Sequence, residues 1–182
     1  MKALRAVSAI LILILCTALL SGCNEQTDTS DRPNADTKTG TPKELGNGDI
    51  APEFTLDLLD GSTFRMSEHD DEIVLLNFWA TWCGPCVKEM PDLQKLYYEE
   101  IPGVTICCIS IGDDAKTVGE FVGTNRLDLG FIGCAADTAI AEYYPTDYIP
   151  YTVLVVKGVV RETMVGTNSY DSYKRLINKY TE

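Results

Sequence analysis

The sequence predicts an α/β fold, a central β-sheet covered by helices with a β-hairpin in front of it. Three observations predict it. The apolar run Ile73-Val74-Leu75-Leu76 leads into Asn77-Phe78-Trp79-Ala80-Thr81-Trp82-Cys83-Gly84-Pro85-Cys86, and an amphipathic stretch follows from Val87 to Glu100. That order reads as a buried strand, a two-cysteine turn and a helix. Val104 to Ile111 is apolar on both faces, so helices must cover it on each side. Phe54-Thr55-Leu56-Asp57-Leu58 and Ser62-Thr63-Phe64-Arg65-Met66 alternate around Asp60-Gly61, the pattern of a hairpin.

The chain has 182 residues, enough for one domain with appendages. It begins as a targeting segment. Lys2 and Arg5 form a basic start, and Ala6 to Leu20 form an apolar stretch too short for a comfortable membrane span. Leu20-Ser21-Gly22-Cys23 resembles a bacterial lipobox. The resemblance implies a leader at 1–22, lipid on Cys23 and an extracytoplasmic, membrane-anchored protein. An ordinary secretory signal or an uncleaved anchor is the alternative. Residues 23–45 read as a tether, because Thr, Asp, Asn, Gly, Pro and Lys dominate them and cannot bury enough apolar surface to fold. Such a tether reaches on the order of 25 Å. Net charge is −12, which argues against nucleic acid as a partner.

The folded domain is expected over 46–182. After the hairpin, Ser67 is expected to cap a short turn, with Glu68 to Glu72 solvated and His69 exposed. Beyond the cysteines, Val87, Met90, Leu93, Leu96 and Tyr97 recur at helical spacing and read as core, with a kink at Pro91. Ala115, Val118, Phe121 and Val122 mark a second helix, Leu129 to Cys134 a short strand, and Asp137 to Tyr144 a short helix. Val153 to Val156 and Val159 to Val165 are strands turned at Gly158. Tyr173, Leu176, Ile177 and Tyr180 form the apolar stripe of a closing helix.

The chemistry lies in the two cysteines. A thiol is a poor nucleophile near its free pKa of about 8.5, and a helix N-terminus favours the thiolate. Cys83 precedes the helix, so its first amides point at that sulfur. Pro85 suits a first turn, where no proline N–H is needed. Two intervening residues let both sulfurs join in one small ring, so one cysteine attacks a disulfide and the other releases it. A bare Cys-x-x-Cys is also half of a zinc site, but zinc takes four ligands. There is no second such pair, and His69 is the only histidine.

The string from Asn77 to Cys86 resembles the active site of the thioredoxin superfamily, most closely its TlpA/ResA-type membrane-anchored thiol–disulfide oxidoreductases. The resemblance covers about residues 46–182. It implies a thioredoxin-like fold with a mixed sheet, an N-terminal hairpin and a central helix–strand insertion. It implies Cys83 and Cys86 as a redox-active disulfide, with Trp82, Gly84, Pro85, Ile149 and Pro150 at the substrate. Pro150 would be cis, keeping metal off the dithiol and presenting the Ile149 backbone. The expected partners are protein thiols or disulfides and a membrane dithiol carrier as electron donor. Apocytochrome c haem-site cysteines are the best-known clients of this type. No cofactor or resident metal is implied, and the domain is expected to be a monomer.

Two positions depart from thioredoxin. Its buried Asp falls on Asn77, and its neighbouring Lys falls, by looser register, on Cys108. Asn77 cannot ionise, so the proton of Cys86 needs another acceptor. Glu89, three residues on, is a candidate because a helix brings it to a nearby face, the alternative being a solvated surface residue. Cys107 and Cys108 should point to opposite faces of one strand. With Cys134 they read as buried thiols, or as one disulfide with a cysteine left over. A metal chaperone for copper and a peroxiredoxin-like peroxidase are the competing functions on this fold. The absence of any His after Cys86 opposes the first, and Cys83 at the usual Thr position opposes the second.

Overall fold

The structure, a computed structural model, describes residues 45–135, 140, 143–144 and 147–181. The expected leader, Cys23, nearly all of the tether and most of the expected helix at 137–144 lie outside the described residues.

Strands β1 (Thr55–Asp57) and β2 (Thr63–Arg65) pair antiparallel as the hairpin. A five-stranded sheet follows, made of β3 (Ile73–Trp79), β4 (Val104–Ile111), β5 (Phe131–Ala135), β6 (Tyr151–Val156) and β7 (Val159–Val165). Its order is β5-β4-β3-β6-β7. Helices α1 (Gly84–Tyr97) and α2 (Ala115–Asn125) carry the parallel crossovers from β3 to β4 and from β4 to β5. Strands β6 and β7 add antiparallel, so the sheet is mixed. Helix α3 (Tyr170–Asn178) closes the chain.

Alternation along the strands divides the core in two. Leu76, Phe78, Cys107, Ile109, Val153 and Val155 pack with Phe54, Leu56, Phe64 and Met66 of the hairpin region. Leu75, Trp79, Ile106, Cys108 and Leu154 pack with Met90, Leu93 and Leu96 of α1 and with Tyr173 and Ile177 of α3. Each fully buried Leu, Phe or Met contributes about 1.5–3 kcal/mol. The hairpin docks on the far edge of the sheet, where Leu59 N–H donates to the Ile132 carbonyl at 2.9 Å. Gly133 permits this approach: a Cβ there would lie 2.6 Å from the Leu56 side chain and 2.7 Å from the Asp57 carbonyl. At the opposite edge the incoming chain is strapped to β7. Gly48 N–H donates to the Val160 carbonyl at 2.8 Å, Val160 N–H to Asp49 at 2.9 Å, and Ala51 N–H to Gly158 at 3.0 Å.

Several expectations need correction. Ser67 does not cap a helix; it sits inside a 3-10 turn, Met66–His69, and donates to Glu53 Oε1 at 3.1 Å. His69 is not exposed. Its ring stacks on Phe64 at 4.7 Å and meets Glu72 Oε2 at 2.9 Å. Glu72 also accepts from Thr105 Oγ1 at 2.6 Å, so it is tied to the sheet while its side chain stays partly exposed. Helix α1 begins at Gly84 with the Cys83 sulfur as its cap and Cys86 in its first turn, as expected, but it runs on through Pro91 and ends at Tyr97, before Glu100. Val87, Tyr97, Phe121, Val122, Leu176 and Tyr180 are half-buried, and Ala115 is exposed. Tyr97, Phe121, Val122, Leu176 and Tyr180 still pack against the core on the α1 face of the sheet.

Candidate active site

The site stands where β3 ends and α1 begins. Cys83 is the N-cap of α1, and Cys86 N–H donates to its Sγ at 3.2 Å. That amide is the helix-terminal donor needed to favour a thiolate at Cys83. The two cysteines form a disulfide across a Cα separation of 5.3 Å. Cys83 reaches the surface, while Cys86 is fully enclosed. Gly84 and Pro85 are exposed, and Trp82 is 69% exposed on the rim.

The Ile149–Pro150 bond is cis, and the Ile149 carbonyl oxygen lies 3.8 Å from Cys83 Sγ. Tyr148, absent from the sequence expectation, is 74% exposed beside it. The segment is held by Gly166 N–H donating to the Pro150 carbonyl at 2.8 Å. Thr167 Oγ1 donates to the Pro85 carbonyl at 3.3 Å, tying the β7–α3 loop to the active-site helix. The arrangement leaves the Ile149 backbone beside the outer sulfur, where an extended chain could lie.

Asp113 is a second residue that sequence reasoning missed. It is buried after β4 and accepts from Thr81 N–H at 2.8 Å, Thr81 Oγ1 at 3.0 Å and Ser110 Oγ at 2.8 Å. It thereby fixes the turn that presents Trp82 and Cys83. Its signal was only an acidic residue after an apolar strand.

Behind Cys86 lies a closed polar cluster. Asn77, Glu89 and Thr152 are buried, as is Tyr173. Glu89 is therefore not a solvated surface residue; its carboxylate points inward from α1. Asn77 Nδ2 donates to Glu89 Oε1 at 2.9 Å and to Thr152 Oγ1 at 3.2 Å. Asn168 N–H donates to Glu89 Oε2 at 2.8 Å. Burial pushes the Glu89 carboxyl above its ordinary value, and the hydrogen bonds from Asn168, Asn77 and Tyr173 oppose that rise. Cys108, the β4 neighbour of Asn77, is pushed up by burial and then by Glu89. Asn77 Oδ1 has no hydrogen-bond partner among the described residues. Cys107, Cys108 and Cys134 are free thiols, with Cys107 and Cys108 on opposite faces of the sheet.

A thioredoxin-like sheet with a disulfide capping the helix after its central strand defines a thiol–disulfide oxidoreductase. The Redoxin family model matches residues 46–177, and the chain belongs to that family. It is similar to the thioredoxin-like protein YneN of Bacillus subtilis, 37% identical over 139 residues, which are 71% of this chain and 79% of that protein. It is similar also to the thiol-disulfide oxidoreductase ResA of Geobacillus thermodenitrificans, 33% identical over 132 residues, covering 70% of this chain and 74% of the other. The crystal structure of StoA from Bacillus subtilis shares the fold, with a TM-score of 0.63 at 22% identity over 73% of this chain and 98% of that one.

Proposed function

We propose that this thiol–disulfide oxidoreductase reduces protein disulfides outside the cytoplasm, anchored to a membrane through Cys23. The observation that carries the reading is the Cys83 sulfur, capped by Cys86 N–H and lying beside the Ile149 carbonyl. In the dithiol form the Cys83 thiolate attacks one sulfur of the substrate disulfide. That bond breaks, and the first substrate sulfur leaves as a thiolate. Cys86 then gives its proton to Glu89, and its thiolate attacks Cys83 Sγ. The mixed disulfide breaks, the second substrate sulfur leaves, and both thiolates take up protons. The substrate has gained two electrons, and Cys83–Cys86 is a disulfide again.

A reducing direction follows from what surrounds Cys83. Strong depression of a nucleophile's pKa stabilises the dithiol and makes an oxidant, whereas milder depression leaves a reductant. Gly84 and Pro85 bring neither charge nor a side-chain donor between the cysteines, and Lys88 is exposed. A reductant in that compartment needs electrons delivered, which implies a membrane dithiol carrier. The Leu-Ser-Gly-Cys order at 20–23 and the polar stretch after it support an anchored domain within the carrier's reach. The resemblance of the Asn77–Cys86 string to the TlpA/ResA type favours haem-site cysteines of apocytochrome c as one substrate class.

Equilibration against glutathione buffers tests direction. A potential below about −230 mV is expected, and one near about −120 mV, that of a strong oxidant, would overturn it. Intact mass of protein extracted from membranes tests the anchor. Expected is a chain starting at an acylated Cys23; a mass without acyl chains sinks that part.

A further inference from the structure

We propose that the groove between Trp82 and helix α2 is a second part of the substrate site: it takes the stretch of substrate polypeptide beside the reactive cysteine, on the side away from Ile149, and through Glu120 it favours a stretch carrying a basic side chain. The inference rests on the attack by Cys83 on protein disulfides given above, and adds what that attack selects. Trp82 makes the groove continuous with the sulfur: it precedes Cys83, is exposed on the rim and lines the groove with Thr81. Glu120, Phe121 and Thr124 line it from α2, and the space between is about 350 Å³. That is the small end of the ~300–1,000 Å³ of ligand clefts, room for a side chain or two. Strands β6 and β4 flank β3 on opposite sides. Ile149, just before β6, and α2, just after β4, therefore stand on opposite sides of the cysteine turn that ends β3.

Contacts beneath the groove hold it open. Asp113 fixes Thr81 through two hydrogen bonds, and the next residue, Asp114, caps α2. The Phe121 ring packs on Trp79 of β3 with centroids 5.6 Å apart. Both sides are thus tied to the same strand ends, and a substrate does not have to order them. The groove offers aromatic faces, hydroxyls and one charge: Glu120 is its single charged lining group among the described residues. Glu120 Oε1 lies 3.9 Å from Lys116 Nζ, and both side chains are exposed. Such a pair contributes little and leaves the carboxylate open to a second cation. Its surroundings reinforce the sign. The Thr117 backbone N–H holds the Asp114 carboxyl below its ordinary value, so that group stays charged, and Asp113 lies behind Thr81. A basic side chain is drawn to this approach, and its apolar stem and charged head suit the Trp82 and Phe121 rings beside the carboxylate. An acidic side chain is repelled.

The test uses the reduced full chain and short peptides whose single cysteine is joined in a disulfide to 2-thiopyridine. The Cys83 thiolate attacks the peptide sulfur, the pyridyl disulfide breaks and 2-thiopyridone leaves, so this thiol release reads attack by Cys83. In one pair of peptides lysine or glutamate stands shortly before the cysteine, and in a second pair shortly after it. Each rate is divided by the rate with dipyridyl disulfide, which carries no flanking chain. At low salt the wild type should favour lysine over glutamate about fivefold in one of the two pairs, and the preference should fade near about 1 M salt. Glu120→Gln should bring it within about twofold, and Glu120→Lys should reverse it. Glu68→Gln removes an equal charge from an exposed site before β3, at the other end of that strand, and should keep the preference. Thr124→Trp fills the groove and should slow both peptides of that pair. No preference in the wild type, a preference that survives Glu120→Lys, an equal loss from Glu120→Gln and Glu68→Gln, or unchanged peptide rates in Thr124→Trp would each overturn this inference while attack by Cys83 stands. If the reduced chain releases no thiopyridone even from dipyridyl disulfide, the reading of Cys83 falls and this inference with it.

Discussion

Asn77 and Cys108 are register partners in adjacent parallel strands, and both lie on the face of the sheet that α1 covers. An amide and a thiol thus stand at the two positions where the family resemblance leads one to expect a carboxylate and an ammonium. Neither brings charge to the site. Burial holds the Cys108 thiol far above its ordinary value, so it stays protonated. The ionisable group behind Cys86 is Glu89, supplied from the helix rather than from the sheet.

Cys108→Ala should alter the alkylation rate of Cys86 more than that of Cys83. Cys107→Ala, on the hairpin face, should leave both unchanged while costing a similar amount of stability, about 1 kcal/mol. Alkylation followed by mass spectrometry over a pH series reads both thiols. Equal profiles for the two variants would make Cys108 ordinary packing.

Cys86→Ser should accumulate a covalent complex with a disulfide substrate, because Cys83, the outer of the two sulfurs, still attacks and nothing releases it. Cys83→Ser should accumulate none, since Cys86 is enclosed. Non-reducing gels decide between them, and trapping by the second variant would reverse the assignment.

Asp113→Ala strands three donors on Thr81 and Ser110. A loss of about 2–3 kcal/mol is expected, with a fall in the rate of Cys83 attack as the turn loosens. Thermal unfolding and the same thiol release assay measure the two effects. An unchanged melting temperature would show that the turn holds itself.

Glu89 also ties stability to pH. Its folded value is raised chiefly by burial, so the folded state holds the proton more tightly than the unfolded chain. The group's contribution is therefore most favourable at acid pH and is lost as pH rises from the ordinary carboxyl value through the raised one. The difference in melting temperature between wild type and Glu89→Gln should shift against the wild type over that rise, by about 2–4 °C for each 1 kcal/mol. A difference that stays constant with pH would mean that folding does not change the proton affinity of Glu89.

The fold was legible wherever one local pattern decided it. Val104–Ile111 and Val159–Val165 are strands with the bounds that their apolar runs predict. The Cys-Gly-Pro-Cys turn declared the helix start through its own chemistry, and the helix begins at Gly84 with Cys86 in its first turn. What escaped was set by contacts distant in sequence. His69 sits in a charged run yet is drawn in by Phe64 and Glu72. Asp113 acts through Thr81, and Tyr173 has the spacing of core while its hydroxyl meets Thr152 in the buried polar cluster. Glu89 was found by its helical offset from Cys86. Its burial was not, because that depends on α3 and the β7–α3 loop closing over it.

The strap at Gly48–Ala51 gives the domain a mechanical polarity. Tension arriving through the N-terminal chain is taken first by the backbone bonds to Gly158 and Val160. Those bonds sit at the β6–β7 turn, whereas Tyr151, Val165 and the Cys83 sulfur lie at the other end of the same strands. A strand of this length separates the two ends by about 20 Å. A pull on that chain therefore strains the turn end of β6 and β7, the end of those strands farther from the sulfurs.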